Sequence, residues 1–181
     1  MATLPIYEDP GPELVSVREY LSTSYRPDCD YVDGRIEERN VGEYDHSYLQ
    51  MLLTHLFMNH REDWGTIPLP DVRVQVKATS FRVPDVTVLR AGTPREQILT
   101  HPPLLVIEIL SPEDRLSRMT ERTDEYLDFG IEQIWIVDPK RRLAYRVTKT
   151  GLELAPSGEI TVAETPIRVV LSELFAELDR A

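Results

Sequence analysis

The chain has 181 residues, 41% hydrophobic and 28% charged, enough for one domain whose core needs no disulfide. Twenty basic against 31 acidic residues leave a net charge of −11, which counts against passive, tight binding to nucleic acid because that depends on Lys and Arg neutralising phosphates. Cys29 is the single cysteine, so an intrachain disulfide and a cysteine-rich zinc site are excluded and a cytoplasmic location is expected.

The opening residues, MATLPIYEDPGPEL, carry acids and prolines where a signal peptide needs a basic segment and an apolar run. Nowhere do about 18 apolar residues run together, so no membrane partner is expected. Residues 1–28 read as an N-terminal arm around one short helical turn, Leu14 to Ser22, and residues 29–181 as a single domain. Asp33-Gly34 signals a turn between two short strands, the first starting at Cys29. From Glu43 to His60, Leu49, Leu52, Leu53, Leu56 and Phe57 recur at three- and four-residue steps, predicting a helix capped by Asp45 or Ser47. Val72, Val74 and Val76 alternate with polar residues as in a half-buried strand, and one further strand is expected from Phe81 to Leu89.

Leu104 to Leu110 is apolar on both faces except at Glu108, which predicts a central strand covered on both sides. Ser111-Pro112 then reads as N-cap and first helical residue of a helix that Gly130 stops near Phe129. Ile134 to Val137 is a second buried strand; edge strands at Leu143–Val147, Leu152–Leu154 and Ile167–Val170 and a C-terminal helix complete the chain. The fold class is α/β (α+β): a central mixed β-sheet flanked by helices, with a strand–helix–strand crossover at its centre.

Glu108 is the chemical outlier, since a carboxylate within a doubly covered strand costs several kcal/mol unless paired, protonated or metal-bound. Asp85 is the second, because aspartate is a poor strand former and Pro84 before it marks an edge or irregularity. Two carboxylates on neighbouring strands, with a backbone carbonyl such as that of Ile109, make an oxygen set for Mg²⁺ or Mn²⁺. On the following helix, Arg115, Arg118 and Arg122 fall within roughly 60° of one another at about 100° per residue. Arg122 lies at the edge of the apolar stripe and can reach inward, while Arg115 and Arg118 offer phosphate contacts at the cleft. His55, His60 and His101 have no spacing suited to zinc, and Arg141-Arg142 reads as a solvated hairpin charge run.

Pro84-Asp85, then Pro103-Leu-Leu-Val-Ile-Glu108-Ile-Leu-Ser-Pro112, then Tyr126…Gly130, then Trp135-Ile-Val-Asp138-Pro139 closely resemble the Uma2 family of endonuclease-type proteins. That family looks like a branch of the PD-(D/E)XK restriction-endonuclease fold. The resemblance implies a restriction endonuclease-like core and metal-dependent phosphodiester hydrolysis with DNA as partner. It makes Asp85 and Glu108 the metal-binding acids, and Asp30 and His46 accessory residues. The wider superfamily's lysine two residues after the glutamate is Leu110 here. Its usual substitute on the next helix is Arg122, which supplies charge but cannot act as a base. A homodimer is expected, because duplex cleavage needs two sites. The alternative is a catalytically degenerate nuclease fold serving as a binding or regulatory module, which Leu110, Arg122 and the net charge favour.

Overall fold

A computed structural model describes residues 14–39, 42–112, 116–155 and 158–181. Among them, the chain folds into a four-stranded antiparallel sheet, a six-stranded mixed sheet and a two-stranded ribbon. The small sheet has the order β2 (Arg35–Glu38), β1 (Cys29–Val32), β5 (Ser80–Arg82), β4 (Val74–Lys77). Its first hairpin closes at Asp33-Gly34, where both residues take positive φ (47° and 90°), the conformation that Asp-Gly tolerates at two-residue turns. A short helix, α1 (Val17–Ser22), starts with the Ser16 side chain accepting from Glu19 N–H. Its Tyr20 is fully buried, stacks on Tyr31 at 4.8 Å between ring centroids and donates to the Cys29 carbonyl at 2.9 Å.

The large sheet runs β10 (Gly151–Leu154), β9 (Leu143–Thr148), β8 (Ile134–Asp138), β7 (Leu105–Ile109), β6 (Val86–Arg90), β3 (Thr66–Pro70). Only β7 and β8 are parallel; α4 (Leu116–Phe129) carries the chain between them. All five residues of β7 are buried. Strand alternation sorts them by face. Leu105, Ile107 and Ile109 join one cluster with Leu49, Leu53 and Phe57 of α2 (Tyr44–Asn59) and with the C-terminal α5 (Leu171–Arg180). Val106 joins another with Met119 and Tyr126 of α4. Glu108, two residues on, therefore points to the α4 face.

The expected central strand, crossover, hairpin and main helices are present, with differences elsewhere. The strand expected as an edge at Leu143–Val147 is β9, flanked by β8 and β10, and a short helix, α3 (Arg61–Trp64), follows α2. The single strand expected from Phe81 to Leu89 is two strands in different sheets, because Pro84 lacks the N–H that would continue a ladder. Helix α2 begins at Tyr44 with Glu43 at its N-cap and no side-chain cap; Asp45 sits inside the first turn and Ser47 donates to the Gly42 carbonyl instead. Strand β3 and the ribbon strand β11 (Glu159–Thr161), which pairs with β12 (Arg168–Val170), were not expected. The helix expected to start at Ser111-Pro112 is described from Leu116 onward.

Helix α4 ends as expected at Gly130, with φ +98°. Gly130 N–H bonds the Leu127 carbonyl and Ile131 N–H the Tyr126 carbonyl, the paired bonds of a Schellman motif. A Cβ added at Gly130 would meet nothing nearer than Pro102 Cγ at 3.5 Å, an ordinary contact. Gly130→Ala is therefore expected to cost backbone strain alone, about 1–2 kcal/mol by urea denaturation. A loss beyond about 3 kcal/mol would show that packing, not φ, is the constraint.

Candidate active site

Glu108 lies under α4 with 1% of its surface exposed. Tyr126 and Arg122, one helical turn apart on the same face of α4, each take one of its oxygens. The Tyr126 hydroxyl donates to Oε1 at 2.6 Å and the Arg122 guanidinium to Oε2 at 3.1 Å. Burial pushes the Glu108 carboxyl up to about 7, against the pull of Arg122 and with a further push from the charge of Asp85. Burial also drives the Tyr126 hydroxyl well above its ordinary range, and the neighbouring Glu108 adds to this.

Asp85 stands where the chain crosses from the small sheet to the large one, just before β6, and is 4% exposed. Ile109 N–H donates to its Oδ2 at 2.7 Å, so the carboxylate is tied to the residue after Glu108. His46 Nε2 lies 3.2 Å from the same oxygen, and Arg39 donates to Oδ1 at 2.6 Å. Burial opposes ionisation of Asp85, but His46, Arg39 and the Ile109 N–H outweigh it and hold its carboxyl below the usual range.

Asp30 is fully buried on β1. The β1–β5 register, Tyr31 opposite Phe81, places it across from Arg82, and β1–β2 pairing places it across from Glu37. Two acids facing each other across strands repel. Arg82 answers both, donating to Asp30 at 3.0 Å and Glu37 at 2.8 Å, while its Nε reaches Glu125 of α4 at 2.6 Å. Val83 N–H and Arg122 complete the shell of Asp30 at 2.9 and 3.0 Å. Arg122 thus bridges Glu108 and Asp30, and the inward reach read from its helical position is what the geometry has.

A cavity of about 40 Å³ is edged by Arg39, His46, Asp85, Ile109, Arg118 and Arg122. That is room for an ion with part of its hydration, since a water needs about 10–15 Å³ by this measure. Of the acids, Asp85 and Glu38 line it and Glu108 reaches it through Arg122; carboxylate oxygens are the hard donors that Mg²⁺ takes. All four oxygens of Asp85 and Glu108 already accept N–H or O–H donors, so a cation would displace a guanidinium. Among the described residues no group of three or more His, Cys, Asp or Glu converges as a ready cage. Arg118 is exposed at the cavity mouth, and Arg115 lies outside the described residues.

Arg39 and Arg82 were not singled out from the sequence. Arg82 carried a usable signal, being a charge between Phe81 and Val83 in an apolar stretch; Arg39 carried none. Arg82→Met leaves Asp30, Glu37 and Glu125 without their shared cation. It is expected to destabilise the protein by about 3–5 kcal/mol in chemical denaturation; a loss under about 1 kcal/mol would mean that water replaces the guanidinium.

A mixed sheet flanked by helices, with two buried acids at the junction of β6 and β7, defines a nuclease-like class of fold. Residues 17–172 match the model of the Uma2 family, described as "Putative restriction endonuclease", and the chain belongs to that family. An uncharacterized protein of Synechocystis sp. is 36% identical over 152 residues, covering 80% of this chain and 74% of that one. The crystal structure of a "putative nuclease belonging to DUF820" from Anabaena variabilis has the same fold. It matches at a TM-score of 0.77 and 20% identity, over 91% of this chain and 99% of that chain.

Proposed function

We propose that the protein is a divalent-metal-dependent endonuclease that hydrolyses phosphodiester bonds in DNA, with Asp85, Glu108 and the Ile109 carbonyl as the metal-binding set. The observation that carries this reading is the bond from Ile109 N–H to Asp85 Oδ2, which ties one acid to the residue next to the other at the edge of the small cavity. A magnesium ion bound there supplies activated water and offsets phosphate charge. Arg122 holds Glu108 and Asp30 in place and, always protonated, balances charge rather than taking a proton. Arg118 at the mouth is placed for a phosphate oxygen. His46 orients Asp85, and Asp30 acts through Arg122.

A groove of about 780 Å³ adjoins the small cavity through His46, Ser111 and Met119 and extends to Lys140, Arg141 and Tyr145. A strand lying in it would meet Lys140 and Arg141 at the far end and the acids Glu43, Asp45 and Asp138 along its walls. One site cuts one strand, so a homodimer is part of the proposal. No helix among the described residues is long and apolar enough to cross a membrane.

Purified protein with Mg²⁺ or Mn²⁺ is expected to nick supercoiled DNA. Asp85→Asn and Glu108→Gln are expected to lower the rate by about 10²–10³-fold or more, measured at a temperature where circular dichroism shows each variant folded. Equal nicking by wild type and both variants would remove the assignment.

A second reading rests on the donors that fill all four carboxylate oxygens: a nuclease fold without catalysis, used as a binding module. It requires that calorimetric titration of the wild type with Mn²⁺ give no heat of binding. Saturable binding lost in Asp85→Asn decides for the enzyme.

A further inference from the structure

We infer that Arg39 is a built-in counter-cation that occupies Asp85 until a divalent ion displaces it, and that Asp71 is the second seat to which its guanidinium retreats. The inference rests on the metal-dependent reading of the Asp85/Glu108 site. The Arg39 fork is split between two carboxylates, with NH2 on Asp85 Oδ1 at 2.6 Å and NH1 on Asp71 Oδ1 at 2.8 Å. The seats are unequal. The Asp85 side chain is 5% exposed and borders the cavity, whereas that of Asp71 is 51% exposed.

Both carboxylates stay put when the guanidinium moves. Asp85 keeps its Oδ2 bonds to Ile109 N–H and His46. Gln50 Nε2 donates to the Asp85 backbone carbonyl at 2.9 Å and to Asp71 Oδ2 at 3.0 Å, fixing the two seats relative to each other. Released from Asp85, the planar guanidinium can turn both nitrogens onto Asp71, the bidentate geometry that suits a carboxylate. Arg122 has no such outlet. Its two partners, Glu108 and Asp30, are both buried, so a guanidinium displaced from one has no exposed carboxylate to take it. Of the two guanidiniums on the acids, Arg39 is the one that can leave.

The test is calorimetric titration of the full chain with Mn²⁺, without DNA, on wild type, Arg39→Met, Asp71→Asn and the double variant. Removing the competitor is expected to tighten Mn²⁺ binding about tenfold or more in Arg39→Met, within the usual range of coupling between sites. Removing the second seat is expected to weaken it about fivefold in Asp71→Asn, and to do nothing further once Arg39 is gone. That last arm separates a retreating guanidinium from a general field of Asp71, which would weaken binding in both backgrounds. Unchanged or weaker binding in Arg39→Met, a full Asp71 effect in the double variant, or no Mn²⁺ uptake by any of the four proteins overturns the inference. If Arg39→Met fails to fold, Asp71→Asn decides alone: unchanged or tighter binding overturns the inference. Wild-type nicking with unaltered Mn²⁺ affinity in Arg39→Met leaves the nuclease reading standing and removes this one. Mn²⁺ binding by the wild type that tightens in Arg39→Met, with no nicking by the wild type, does the reverse.

Discussion

A carboxylate placed on the covered face of a central strand sets the terms for the rest of this molecule. Glu108 cannot be solvated where β7 puts it, so α4 must bring donors, and the i, i+4 pair Arg122 and Tyr126 does so. Arg122 is then itself a buried charge, answered by Asp30 from the other sheet. Asp30 faces Glu37 across β1 and β2, which brings in Arg82, and Arg82 returns to α4 through Glu125. The chain of compensation closes on the helix where it began. It also ties the small sheet to the large one, because each link crosses between elements. Four buried acids, Asp30, Asp85, Glu108 and Glu125, share three arginines, Arg39, Arg82 and Arg122, with Lys77 also on Glu125. Such a network is stable only when complete, since the loss of one member exposes its neighbours to the full cost of desolvation.

The same logic explains what could be read from residues alone. Periodicity exposed the central strands, the crossover helix and its glycine stop, because burial on two faces leaves long apolar runs. Strand β3 escaped because Pro68 and Pro70 erase the strand signature; it tolerates them as an edge strand paired only with β6. The ribbon strand β11 is three residues long and has no pattern to find. Pro84 hid a change of sheet inside what looked like one strand. In the site, Glu108 announced itself as a charge in an apolar run, and the inward direction of Arg122 followed from helical geometry. Arg39 was illegible because its role depends on a contact spanning 46 residues of chain, and an arginine at the end of an exposed strand looks like any solvated one.

Arginine where a lysine would be expected changes the character of the centre. A lysine there would be one point charge with a tunable proton, whereas Arg122 is a fork that holds two carboxylates at once and keeps its proton, its neighbours driving its pKa well upward. Burial works against that charge, but Glu108 and Asp30 outweigh it. The gain is a rigid frame for Glu108. The cost is that Arg122 takes no proton, so in the proposed hydrolysis that task would fall to a carboxylate. Of the two acids, Glu108 is the one whose affinity for a proton is raised toward neutrality, while Asp85 is held ionised. Two acids made unequal by their surroundings are the usual way a single fold divides proton handling from charge stabilisation.

In the proposed reading as a nuclease, a net charge of −11 and a polyanionic substrate would be reconciled by position rather than by sum. A phosphate senses charges within about 10 Å at physiological salt, so the distant acids matter little once a strand is at the cleft. Around the small cavity Arg118 and Glu38 are exposed, with Arg39 and Arg122 behind them, each half-spent on a carboxylate. In the proposed nuclease, a cation that freed a guanidinium from its acid would add positive charge at the cavity, so that attraction for phosphate would rise with metal loading.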